Sequence, residues 1–252
     1  MGPIASFALE ALLATLAPPR CAACDAPVRL LAVFCPSCAR TAVSAGDGSE
    51  RPAAALVYGG AVARAITRMK YESRPDLARP LGDLLWRALE PHAASLRGAI
   101  VIPVPLHPSR LAERGFNQSA LLARPIAQHL AAPFAPRALE RVRETRQQAT
   151  LERAARVGNV AGAFAVRRGH ASALVRDRAV LLVDDVMTTG ATLDACARAL
   201  AGGGVSRVDR VVVAAAPQRV EDDSQDERRV PGLGGIMAAG TRDPRKGPQG
   251  RT

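Results

Sequence analysis

From residue 56 onward the chain alternates two kinds of apolar segment. Residues 99–102, 180–183 and 211–215 are short, continuous apolar runs, the pattern of strands buried on both faces. Between them, residues 60–72, 80–96, 117–130 and 191–201 repeat apolar positions at helical spacing. In the second of these, Leu81, Leu84, Leu85, Ala88 and Leu89 fall on one face. Pro125 inside the third predicts a kink or an early end there. Strands alternating with helices predict an α/β fold, a mostly parallel sheet with helices on both faces. Ahead of it come an apolar helical lead (Phe7, Leu9, Leu12, Leu13, Leu16), a Pro18-Pro19 stop and a cysteine-rich stretch. Residues 1–45 therefore read as a small separate module, 46–55 as a linker and 56–217 as the main domain. Residues 218–252, rich in Gly, Pro and charge, predict a disordered tail.

Composition narrows this picture. With 252 residues, 48% hydrophobic and 23% charged, the chain supports one full-sized core plus a small appendage. It holds no apolar run of about 18 residues, so no membrane span is expected. No basic segment precedes the apolar lead, which argues against a secretory signal and for a cytoplasmic address. The formal charge is +11, and all but two of the 34 basic residues are arginine, the lysines being Lys70 and Lys246. Seven basic and six acidic side chains nearly cancel in the tail, so the excess lies in the rest of the chain. Arginine suits bidentate recognition of phosphate, although a GC-rich genome produces the same bias. Aromatic residues make up only 3%, leaving few platforms for stacking bases and little support for direct nucleic-acid binding.

Four of the five cysteines form the pattern C-x2-C-x10-C-x2-C at Cys21, Cys24, Cys35 and Cys38. In a chain without an export signal this spacing reads as a four-cysteine zinc ribbon. Each pair aims two thiolates at one ion, and the intervening residues are enough for a short hairpin. Four thiolates leave no open coordination position, so the expected role is structural. Cys196 stands alone on a predicted helix and reads as a small buried hydrophobe.

The densest chemistry lies after the second apolar run. Asp184 and Asp185 follow it directly, then Val186, Met187, Thr188, Thr189, Gly190, Ala191 and Thr192 lead into a helix. Backbone amides at a helix N-terminus favour a phosphate, and the threonine hydroxyls add donors. Two carboxylates would repel a bare phosphate, but they accept hydrogen bonds from the vicinal hydroxyls of a ribose. The natural occupant is a ribose 5-phosphate, sugar over the acids and phosphate in the loop. No lysine follows Gly190 as a P-loop requires, and Gly202-Gly203-Gly204 follows a helix rather than a strand, which excludes a dinucleotide fingerprint.

This stretch resembles the signature of the type I phosphoribosyltransferases, two acids followed by a T-T-G-x-T loop. More narrowly the chain resembles the ComF/GntX family, which joins a zinc module to such a domain. The narrower likeness rests on V-I-P-V-P-L-H from Val101 to His107, on R-G-F-N-Q from Arg114 to Gln118, and on the arginine-rich stretch from Arg141 to Gln148 with Arg156 and Asn159. It implies the type I fold, with phosphoribosyl pyrophosphate (PRPP) or a ribose-5-phosphate nucleotide bound with magnesium. Pyrophosphate would be displaced at C1 of the ribose, and a sensing module that binds without turnover is the alternative. It further implies pyrophosphate near Pro103, Val104 and Pro105, a closing loop bearing Arg143 and Arg146, and partners in DNA uptake. Lys70 beside Tyr71 reads either as a pyrophosphate or partner contact or as part of a solvated helix face. Arg114 reads as an anion contact, or its neighbours as caps of the next helix.

Overall fold

All three apolar runs form strands, and three more join them: β1 (Ala53–Val57), β2 (Ile100–Pro103), β3 (Leu139–Arg141), β4 (Phe164–Val166), β5 (Ala179–Met187) and β6 (Arg207–Ala215). These come from a computed structural model that describes residues 18–46, 53–143 and 162–217, all within the unit ending at Pro217. The main sheet has the order β1-β6-β5-β2, and every pairing is parallel. β3 and β4 form a separate antiparallel pair. The lead (1–17), the tail (218–252) and Arg146 lie outside the described residues.

The helices are α1 (Pro36–Ala39), α2 (Gly60–Tyr71), α3 (Ala78–Leu89), α4 (Pro108–Arg114), α5 (Gln118–His129), α6 (His170–Val175) and α7 (Ala191–Gly202). Alternation along the central strands splits the core between the two faces of the sheet. Leu181, Val183, Val211 and Val213 pack with Ile66, Met69, Leu81, Leu85, Leu122 and Ile126 of α2, α3 and α5. Val180, Leu182 and Val212 pack on the other side with Leu193, Cys196 and Leu200 of α7 and with Val175 of α6. Cys196 is fully buried there. The fold is the α/β arrangement expected, with helices covering both faces. No helix among the described residues is long and apolar enough to cross a membrane.

Two expectations shift. β1 starts at Ala53, so residues 53–55, read as linker, belong to the sheet. Residues 43–45 run antiparallel along its free edge, with Val57 N donating to Val43 O at 2.8 Å. A short run of alanines hides this strand from a hydrophobicity pattern, and pairing with β6 supplies what the side chains do not. Helix α5 also runs through Pro125 without stopping. The proline ring lies against Gly82 of α3, where a Cβ would stand 2.6 Å from Pro125 Cγ and 2.9 Å from Leu122 O. Close helix packing at that glycine offsets the hydrogen bond the proline cannot donate.

Candidate functional site

β5 extends to Met187, so both acids sit inside the strand, with Asp184 beside Val212 of β6. They are nearly buried, 8% and 3% exposed. The chain then turns through Thr188, Thr189 and Gly190 into α7, whose first amides sit at the carboxyl edge of the parallel sheet. Gly190 adopts φ +78°, the left-handed region that glycine enters without strain. Its carbonyl accepts from Asp194 N at 2.9 Å, closing the first turn. Ligands of open α/β sheets bind at this edge.

Buried carboxylates need partners, and each acid has them. Asp184 Oδ1 accepts from Ser119 Oγ at 2.7 Å and from Asp185 N at 2.9 Å. Asp185 Oδ1 accepts from Val186 N at 2.7 Å, and Asp185 Oδ2 stands 2.6 Å from the Lys70 ammonium. Burial, and after it the Asp185 charge, pushes Asp184 up to about 7 against the opposing pull of Ser119 and Lys70. Burial alone would lower Lys70, but the charge of Asp185 and its hydrogen bond outweigh it and the lysine is raised. The corner therefore holds two carboxylates and one ammonium in a site largely closed to water.

The neighbouring loop is tied to this corner. Val104 N donates to Val183 O at 2.9 Å, which joins the end of β2 to β5, and Pro103, Val104 and Pro105 are buried. Asn117 caps α5 by accepting from Ser119 N at 3.0 Å, while its Nδ2 donates to Val104 O at 3.0 Å. Arg114 donates to Gln118 Oε1 at 2.7 Å and lies 5.3 Å over the ring of Tyr71. The R-G-F-N-Q stretch thus braces the Pro103–Pro105 loop and places Ser119 on Asp184. His107 caps α4, its Nδ1 accepting from Ser109 N at 3.3 Å. Arg143 is exposed just past β3. Sequence reasoning named the acids, the loop and Lys70 but missed Ser119. The signal for it was a hydroxyl at the start of a helix directly after that motif.

The four cysteines converge as their spacing predicts. Cys21 O accepts from Asp25 N at 2.9 Å and Cys35 O from Ala39 N at 2.8 Å, so each C-x2-C pair folds into its own turn. Their Sγ atoms all lie within 4.8 Å of one another, and Cys24 and Cys35 are 3.7 Å apart. A tetrahedral zinc–thiolate site with bonds of about 2.3 Å has edges of about 3.8 Å, so the set fits such an ion. The Ser37 hydroxyl and then the Cys38 amide lower Cys35 to about 6. Burial and then the adjoining thiols raise Cys38 to about 12. Four thiols packed this closely cannot all ionise without a cation between them.

The chain is also similar in sequence to known proteins. Residues 117–234 match the phosphoribosyl transferase domain family, a span that begins at the α5 cap and takes in the acid corner. The chain is 29% identical over 202 residues to DNA utilization protein YhgH of Shigella flexneri, covering 75% of this chain and 86% of that one. It is 34% identical over 151 residues to Competence protein F of Haemophilus influenzae, covering 57% of this chain and 63% of that one. A solved structure of an allosteric regulatory enzyme of purine biosynthesis superposes with a TM-score of 0.40 at 19% identity, over 58% of this chain and 30% of the enzyme. The four-cysteine module, the matched phosphoribosyl transferase domain and the relatives named for DNA utilization and competence support the resemblance of the chain to the ComF family of phosphoribosyltransferase-domain proteins.

Proposed function

We propose that the corner from Asp184 to Thr192 binds magnesium-PRPP or a ribose-5-phosphate nucleotide, and that the protein transfers the phosphoribosyl group to an acceptor. The observation that carries this reading is the juxtaposition of two buried carboxylates with a glycine turn and a helix N-terminus at the carboxyl edge of the sheet. The 5′-phosphate sits on the amides and hydroxyls from Met187 to Thr192, where the helix N-terminus favours negative charge. The ribose hydroxyls donate to Asp184 and Asp185. Pyrophosphate lies toward Pro103, Val104 and Pro105, and Lys70 balances part of its charge.

In the reaction the bond between C1 and the pyrophosphate oxygen breaks, and the electron pair leaves with that oxygen. A lone pair of the acceptor forms the new bond to C1, and the acceptor proton passes to solvent or a carboxylate. Positive charge that builds on the sugar is stabilised by the acid pair, an electrostatic contribution in a site that excludes water. Two hard carboxylates fit magnesium only as part of a set completed by ligand oxygens and water. When bound, the ion neutralises the pyrophosphate oxygens. Arg114, Arg143 and Arg146 are further candidates for contacts to that anion.

Zinc in the Cys21, Cys24, Cys35 and Cys38 site holds the N-terminal module folded. The protein acts in the cytoplasm, where free thiols persist. The names of the relatives, a DNA utilization protein and a competence protein, support a role in handling DNA taken up by the cell or the nucleotides derived from it.

Calorimetry tests the pocket. Magnesium-PRPP should bind to the native chain and not to the Asp184→Asn, Asp185→Asn double variant, and equal affinity for both removes the assignment. A screen of purine and pyrimidine bases for pyrophosphate release then tests turnover. Binding without release would assign the pocket to sensing rather than transfer.

A further inference from the structure

Helix α2 is attached to the cysteine module near both of its ends and finishes against the acid pair. At its start, Ala61 N donates to Thr41 Oγ1 at 3.0 Å, and that hydroxyl donates to Cys38 O at 2.9 Å. Gly60, at φ +48°, lies so close that a Cβ there would stand 2.7 Å from Thr41 O. Ala61 itself packs among Cys21, Cys35 and Cys38. Near the other end, Arg68 donates Nη1 to Ala22 O at 3.1 Å and forms an ion pair with Asp25. Arg74 holds the same carboxylate from beyond the helix, 3.0 Å from Asp25 Oδ1. Arg68 Nε also reaches Glu72 at 3.0 Å, closing the last turn. Lys70 lies between Arg68 and Glu72.

These contacts matter because lysine carries its charge on four flexible methylenes. An ammonium 2.6 Å from Asp185 stays there only if the helix that carries it cannot slide or fray. The opposite side of α2 is held by the core through Val62, Ile66 and Met69. Its axial position is fixed by the pair of attachments to the cysteine turns, with the Arg114–Tyr71 contact at its last residue.

We propose that the cysteine module is a positioning element for the acid corner: through Thr41 and through the Asp25–Arg68 pair it sets where Lys70 meets Asp185, and so couples an intact module to ligand affinity. Thr41, Asp25 and Arg68 are positioning residues that act through Lys70. The affinity part of this inference rests on the reading that the corner binds magnesium-PRPP, whereas the lysine part does not.

Lys70 and Lys246 are the two lysines of the chain, so lysine labelled with 13C and 15N gives two side-chain signals, and Lys246→Arg leaves that of Lys70 alone. Trp86, the one tryptophan, is stacked on His129 with ring centroids 5.0 Å apart and reports the core independently. In the zinc-loaded full chain, Thr41→Val and Arg68→Met should each move the Lys70 signal toward that of a solvated lysine. Trp86 emission should not change, and the Kd for magnesium-PRPP should rise about five- to tenfold, the scale of one lost hydrogen bond. Thr41→Ser keeps the hydroxyl and should restore both readouts. The proposal is overturned if the Lys70 signal stays fixed in both variants, or if it shifts only when Trp86 shifts too, since the change is then loss of the whole fold. A native chain that does not bind magnesium-PRPP refutes the pocket instead, and a Lys70 signal that still follows Thr41 and Arg68 sustains the positioning role.

Discussion

The molecule gathers acidic groups in two places and treats them in opposite ways. At the cysteine turns, four thiols converge within 4.8 Å of one another on a spot that no basic side chain of those turns enters among the described contacts. At the end of β5, two carboxylates are partly balanced from within: Lys70 pairs with Asp185 Oδ2, Ser119 and the Asp185 amide donate to Asp184 Oδ1, and the Val186 amide donates to Asp185 Oδ1. A cluster that needs an external ion is suited to permanent structure, because removing the ion leaves charges that cannot coexist. A cluster balanced by a side chain on a flexible stem is suited to exchange, because a ligand can displace or share that cation. The contrast separates a cluster suited to hold shape from the corner proposed to bind ligand.

Stripping the first cluster tests this most severely. Changing Cys21 and Cys35 to Ser should abolish binding of about one zinc per chain and cost the module on the order of 10 kcal/mol of apparent folding free energy. Metal analysis and limited proteolysis between residues 18 and 46 check this, with Trp86 emission showing that the main core persists. A metal-free module that resists protease would end the distinction between the two clusters.

The second cluster should respond to pH instead. Asp184 is pushed from its ordinary value of 3.8 up to about 7 in the folded protein. The folded state therefore prefers it protonated. Its favourable contribution is present below the ordinary value and is lost as pH rises through about 7. Asp184→Asn imitates the protonated form and keeps an oxygen for Ser119 and the Asp185 amide. At pH 8 it should raise stability by roughly 1–3 kcal/mol, and near pH 4 the gain should vanish. Urea unfolding at both values measures the difference, and the same variant should lose ligand binding. A gain independent of pH would mean that Asp184 is not held out of its charged form.

These two clusters were also unequally legible in the sequence. Cys21 to Cys38 and Asp184 to Thr192 are each local in the chain, so spacing alone marked them as candidate sites. Contacts that make the corner work come from far away: Ser119 is 65 residues from Asp184, and Lys70 sits on a different helix. No periodicity reports such a pairing. The one hint was compositional, a lone lysine in a domain whose other cations are arginine. Arginine's planar fork suits the Arg68–Asp25 seam, whereas a compact ammonium suits a single carboxylate oxygen. The start of β1 was hidden for another reason, since Ala53, Ala54 and Ala55 carry too little apolar surface to mark a strand before β6 is in place.

A smaller effect sharpens the contrast at the level of single residues. Both clusters use a left-handed backbone turn: Asp25 stands at φ +61° after Cys24, and Gly190 at φ +78° before α7. At Asp25 the side chain is put to use by Arg68 and Arg74, so the strain of a non-glycine residue is offset. At Gly190 a Cβ would meet nothing nearer than 3.8 Å, so protein packing does not demand glycine there. Backbone strain alone predicts that Gly190→Ala costs about 1 kcal/mol and that Gly190→Asn, which tolerates this conformation better, costs less. If the turn also receives a phosphate against its backbone, Gly190→Asn should still weaken magnesium-PRPP binding while thermal unfolding stays near that of the native chain. Equal affinity for the native and Asn forms would reduce Gly190 to a turn residue, no different in kind from Asp25.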